Sequence, residues 1–89
     1  MNNPYLEKIS VVNVRQINQG NLKAFATVKL GNTMTINGCR IIQQNGQRAY
    51  VALPQSQDKD GKYYPVITAD DPRFKEAVEQ VILEAWQSE

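Results

Sequence analysis

Histidine is absent from this chain, and cysteine occurs once, at Cys39. A single cysteine permits no intrachain disulfide. With no histidine beside it, zinc sites of the Cys/His kind are excluded, and so are Ser-His-Asp and Cys-His catalysis. Long apolar runs are also missing, so no segment is long enough to cross a membrane as a helix. The first residues, Met1-Asn2-Asn3-Pro4, lack the charged and apolar blocks of a signal peptide, which places the protein in the cytoplasm as an expectation. There is no glycine-rich phosphate loop and no EF-hand spacing. The acidic pairs Asp58/Asp60 and Asp70/Asp71 are the only candidates for acid–base chemistry. Turn formation explains the first pair and helix capping the second. The chain is therefore read as a non-enzyme with no cofactor and no metal.

What is present is an ordinary apolar content of 42% with 21% charged residues over 89 positions, enough for one small domain spanning 1–89. The net charge of +1 conceals a division. Residues 1–50 carry six cations (Lys8, Arg15, Lys23, Lys29, Arg40 and Arg48) against Glu7, a net of +5. Residues 51–89 carry four cations against eight acids, a net of −4. Such a division suits an anionic partner for the basic half, or mutual attraction between halves within or between chains.

Apolar periodicity gives a fold class of α+β, in the order βββββα. Residues 8–17, KISVVNVRQI, are rich in β-branched side chains, and Val11-Val12 breaks the alternation as a bulge would. Residues 22–30, LKAFATVKL, alternate cleanly, with Leu22, Ala24, Ala26, Val28 and Leu30 on one face and Lys23, Phe25, Thr27 and Lys29 on the other. Residues 33–42 read as a third strand with Gly38 as a candidate bulge. Asn45-Gly46 marks a hairpin leading into a fourth strand over 48–53. After the polar joint 55–62, residues 63–67 read as a fifth strand at an edge, because Pro65 cannot donate to a ladder. Asp70-Asp71-Pro72 then starts a helix over 72–88. Its stripe of Phe74, Ala77, Val78, Val81, Ile82, Ala85 and Trp86 must be buried. The expectation is a five-stranded antiparallel sheet over 8–67, one face under the helix and one open. So thin a core points to a homodimer.

Three groups of residues are candidates for contact. Lys23, Phe25, Thr27 and Lys29 share a strand face on which cations flank an aromatic, suited to a nucleic-acid backbone and a stacked base. Arg40 and Arg48 flank the Asn45-Gly46 hairpin and could form one phosphate-binding spot across it. Lys59 and Lys62 sit in the joint, bordered by Tyr50, Tyr63 and Tyr64, of which Tyr63 is a candidate stacking residue. Cys39 reads as a small buried hydrophobe, and Trp86 as core or dimer interface. A protein-interaction surface formed by the joint and the acidic helix face is the competing reading.

The run Leu22–Leu30, then Gly38-Cys39-Arg40-Ile41-Ile42, Tyr50-Val51-Ala52-Leu53-Pro54, and a charged joint ending in Asp60-Gly61-Lys62-Tyr63 before an amphipathic helix, resembles the SpoVG family of bacterial septation and sporulation proteins. The resemblance runs from residue 9 to about 86 and lies in order and spacing. It implies a small antiparallel sheet with a helical C-terminal part, a dimer, and regulatory binding to DNA and RNA. It also implies a Lys-Arg pair just after Pro54, where this chain has Ser56 and Gln57.

Overall fold

The structure is a computed structural model, and it describes residues 3–88; Met1, Asn2 and Glu89 lie outside the described residues. A short 3-10 turn, Leu6–Lys8, leads into β1 (Ile9–Gln19), β2 (Leu22–Leu30), β3 (Met34–Ile42), β4 (Tyr50–Ala52), β5 (Gln55–Gln57), β6 (Tyr63–Pro65) and α1 (Pro72–Gln87). The first four strands form one antiparallel sheet in sequential order. The α+β class, the antiparallel sheet and the single C-terminal helix are as the periodicity requires.

The strand count differs from the expected five. The joint after Pro54 is itself a hairpin, in which β5 pairs with β6 as a separate two-stranded sheet. Residues 66 and 67 stay outside any strand, and β4 is shorter than the run 48–53. The cause is local hydrogen bonding that no apolar pattern reports. Asp58 Oδ1 accepts from the backbone N–H groups of Asp60 and Lys62, both at 2.9 Å. Asp58 Oδ2 accepts from the Tyr64 hydroxyl at 2.9 Å. Gly61, at φ +85°, allows the turn to close. Every residue of β5 and β6 is exposed, so the arm stands on hydrogen bonds and not on burial.

The four-stranded sheet is ordered by burial. Ala24, Ala26 and Val28 of β2 are sealed beneath α1, where Ile9, Ile36, Cys39, Ile41 and Val51 meet Ala77, Val78 and Ile82 of the helix. Each large side chain among these contributes about 1.5–3 kcal/mol on leaving water. Phe74, Val81, Leu83 and Trp86 complete the helix side of the core as half-buried residues. The helix begins at Asp71, whose carboxylate accepts from the Arg73 N–H at 3.0 Å. The Tyr5 hydroxyl donates to the same carboxylate at 3.0 Å, and its ring meets Phe74 edge-on at 5.4 Å. Tyr5 is thus latched onto the start of the helix. At the outer edge of the sheet, the Val51 N–H donates to Glu79 Oε2 at 3.0 Å, so the helix covers one edge donor of β4.

Two of the sheet's four register shifts decide which side chains around Arg15 and Arg40 share a face. The β1–β2 register jumps between Val11 and Asn13, opposite Val28 and Thr27. The β2–β3 register jumps between Cys39 and Ile36, opposite Ala26 and Val28. Unbroken alternation from Val11 would send Asn13 and Arg15 toward the helix and Val14 away from it. The extra residue reverses this and packs Val14 against the core. In β3, Gly38 at φ +81° performs the same reversal. Cys39 and Ile41 are buried as a result, and Arg40 turns to the open side.

Candidate nucleic-acid interface

The open face of the sheet is built in rows across the strands. Arg15 of β1 lies opposite Phe25 of β2, and Phe25 lies opposite Arg40 of β3. The Arg15 guanidinium carbon sits 5.7 Å from the centre of the Phe25 ring, a cation–π contact. Toward the other end, Asn13 pairs with Thr27, whose hydroxyl lies 3.5 Å from Asn37 Oδ1. Beyond them Lys29 is flanked by Ser10 and Thr35. Lys23 stands at the near end, its ammonium donating to the Gly20 carbonyl at 3.0 Å. A shallow depression of about 330 Å³ opens between Asn13, Arg15, Phe25, Thr27 and Gly38.

The electrostatics of this face follow from a gap in the sequence. Residues 9–57 contain neither aspartate nor glutamate, so all four strands of the sheet are free of acids. The positive potential of Arg15, Lys23, Lys29 and Arg40 therefore meets no opposing charge on their own strands. The acids lie elsewhere: Glu7 before β1, Asp58 and Asp60 in the arm, and the remainder from Asp70 onward.

The residues singled out from the sequence fall into three places. Lys23, Phe25, Lys29 and Arg40 come together on the open face. Arg48 does not join them. The β3–β4 register sets Arg40 opposite Ala52, and Arg48 lies before β4 in a loop, where it borders a depression with Glu76, Glu79 and Glu84 of the helix. The single spot expected of Arg40 and Arg48 is therefore two separate places, because the strands cease to pair before reaching Arg48. Lys59 and Lys62 lie on the arm, beside Asp58 and Asp60, where the charges balance. Tyr63, also on the arm, is 62% exposed. One link joins arm and face: Arg40 Nη2 donates to Gln55 Oε1 at 3.2 Å.

Arg15 and Asn13 were not legible as site residues. The signal lay in the Val11-Val12 break, which moves the residues from Asn13 to Gln16 to the opposite face until a second register shift follows. Asp58 was likewise hidden. The hydrogen bond from the Lys62 N–H, then that from Tyr64, hold its carboxyl below the usual carboxylate range. Both acidic pairs have structural occupations through Asp58 and Asp71. Hydrogen bonds from the Arg73 side chain and backbone lower the Asp71 carboxyl to about 2. Burial pushes the Cys39 thiol up to about 11, far from a reactive thiolate. Among the described residues no group of three or more cysteines and carboxylates could hold a metal ion, and no helix is long and apolar enough to cross a membrane.

The SpoVG family profile matches residues 7–88. The chain belongs to the SpoVG family. Septation protein SpoVG of Bdellovibrio bacteriovorus is 27% identical over 82 residues, covering 92% of this chain and 75% of that protein. The namesake in Symbiobacterium thermophilum is 23% identical, covering 91% of this chain but 58% of its own longer sequence. That in Geobacillus thermodenitrificans is 28% identical over 76 residues, with 80% and 78% covered. No solved structure matches the chain significantly. Ser56 and Gln57 lie on β5, an exposed strand of the arm.

Proposed function

We propose that this SpoVG-family chain is a non-catalytic, nucleic-acid-binding regulatory protein that works as a cytoplasmic homodimer. The observation that carries the reading is the acid-free open face with Arg15, Lys23, Lys29 and Arg40. Phosphates supply affinity to such a surface with little sequence information, so recognition is of low specificity. If all four cations contact phosphates, the logarithm of affinity falls with the logarithm of salt with a slope of about −3 to −4. The test is fluorescence anisotropy with labelled DNA and RNA at two salt concentrations, repeated on the variant Lys23→Glu/Lys29→Glu. Saturable, salt-sensitive binding that weakens in the folded variant is expected. Binding unchanged by the double charge reversal would remove the face from the contact surface.

Dimerisation is supported by large apolar side chains left in water: Val12 is 52% exposed, Met34 47% and Val66 60%. Sedimentation equilibrium checks it, and a monomer at tens of micromolar would refute it. A second reading, a protein-interaction module, is favoured by the arm, where Tyr63, Tyr64 and Val66 are all at least half exposed. Failure to bind any polyanion at low salt, together with capture of a protein through the arm, would select it.

A further inference from the structure

The nucleic-acid reading leaves open which form of nucleic acid the face accepts, and the geometry of the sheet bears on that directly. A duplex shows its base edges only inside its grooves, and reading them takes a projecting helix or ribbon. The open face presents neither. Its side chains stand on a broad sheet, and the one helix packs on the opposite side. The β5–β6 ribbon does project, but its tip carries Asp58 and Asp60 beside Lys59 and Lys62, which gives phosphates no net attraction.

We propose that the open face is a platform for single-stranded nucleic acid, centred on the row Arg15–Phe25–Arg40. This rests on the reading above and assigns its substrate form and its contacts. The row crosses three strands, so the backbones carrying Arg15 and Arg40 stand about 10 Å apart at the usual interstrand spacing. Between them Phe25 is half-buried, with the Arg15 guanidinium on its ring. An aromatic paired with a planar guanidinium makes a stacking surface for an unpaired base, whose ring every nucleotide offers. The depression beside it, at about 330 Å³, lies at the small end of ligand sites, roughly 300–1,000 Å³. That is room for one base. Asn13, Thr27 and Asn37 border the stacked position and can both donate and accept at base edges. Arg40 and Lys29, on either side, take the flanking phosphates. Both bulges are needed for this assembly, since each returns one arginine to the face. Bulges are a recurrent device for re-aiming side chains at functional sites.

The test uses the full chain and fluorescence anisotropy with labelled oligo(U), oligo(dT) and a mixed-sequence DNA duplex of equal length. Two variants are compared, Phe25→Leu and Arg15→Gln, each first checked for native circular dichroism and cooperative melting. The second keeps the test decisive if the first does not fold. The wild type is expected to prefer the single strands. Phe25→Leu should weaken single-strand binding roughly five- to hundredfold, the range of one lost base stack, and leave the weak duplex binding as it was. Arg15→Gln should weaken it in the same direction. Adding oligo(U) should shift the amide resonances of Asn13, Thr27 and Gly38 and leave those of the arm tip, Asp60 and Lys62, in place. Equal affinity for duplex and single strand, unaltered by either variant, would overturn the platform while leaving nucleic-acid binding standing. Absence of binding to all three probes at low salt would overturn both.

Discussion

The sheet and the arm are two antiparallel assemblies of one short chain, ordered by opposite means. The sheet surrounds Ile36, Ile41, Val28 and Val51, all fully buried against Val78 and Ile82 of the helix. The arm buries nothing along its strands and is held by its strand pairing, by the Gln57 side chain donating to the Gly61 carbonyl, and by the Asp58 carboxylate with three donors. Their charges differ as well. The sheet carries cations without acids, whereas the arm tip alternates Asp58, Lys59, Asp60 and Lys62. Burial fixes a broad surface and leaves its far side free for charge. Hydrogen bonding fixes a small projection and consumes the charge that does it.

The comparison is broken most severely from the sheet side. Ile82→Ala removes a fully buried side chain and should cost about 2–5 kcal/mol. For a domain of this size that lowers Tm by roughly 10 °C or more. Thermal denaturation followed by circular dichroism checks it, and a loss of only a degree or two would mean that the helix is not the sheet's main support.

Gly38→Ala is the next largest effect. Space is open around a Cβ there, yet φ is +81°, a conformation that costs an L-residue about 1–2 kcal/mol. Chemical denaturation should report that loss. A neutral result would show that the β3 bulge relaxes without strain, which weakens the argument that it fixes Arg40 on the open face.

Asp58→Ala should act on the arm alone. Amide exchange at Asp60 and Lys62 should quicken markedly while Tm moves little, because the two sheets are separate. Acid should mimic the substitution. The Asp58 carboxyl titrates below its ordinary value in the folded arm, so its contribution is complete above the ordinary carboxylate pKa and fades as pH falls through the lowered one. Exchange at these amides should therefore rise below about pH 4, ahead of the core. Simultaneous loosening of arm and core would mean that the two sheets unfold as one unit.

The smallest expected effect concerns Cys39. With its thiol raised to about 11, the native protein should resist thiol reagents at pH 8, and Ile82→Ala should react faster in proportion to its unfolded fraction. Rapid labelling of the native chain would show that the sheet opens locally at β3.

Much of the molecule was legible in advance for reasons that are local. The clean alternation of Leu22–Leu30 names both faces of β2, and the change to a helical period after Pro72 names α1 to within a residue. Both bulges left marks, in Val11-Val12 and in Gly38. Their consequence for Arg15 was not drawn, because a bulge alters facing only for residues beyond it and only if the partner strand holds its register. The arm was misread as a joint plus a fifth strand, since Gln55-Ser56-Gln57 has no strand-like apolar pattern and its pairing depends on Asp58 closing the turn.

The sequence by itself determined the order of elements, the helix, the inner face of β2 and the stretch from 9 to 57 without an acid, because periodicity and charge are carried along the chain. Tertiary structure alone decided that Arg15, Phe25 and Arg40 form one row, that Arg48 sits apart with the acids of the helix, and that the joint folds as its own sheet. Those outcomes depend on register, and register is settled between strands: Val14, Cys39 and Ile41 all pack into the core beneath α1, and their burial forces the polar residues beside them to the other side.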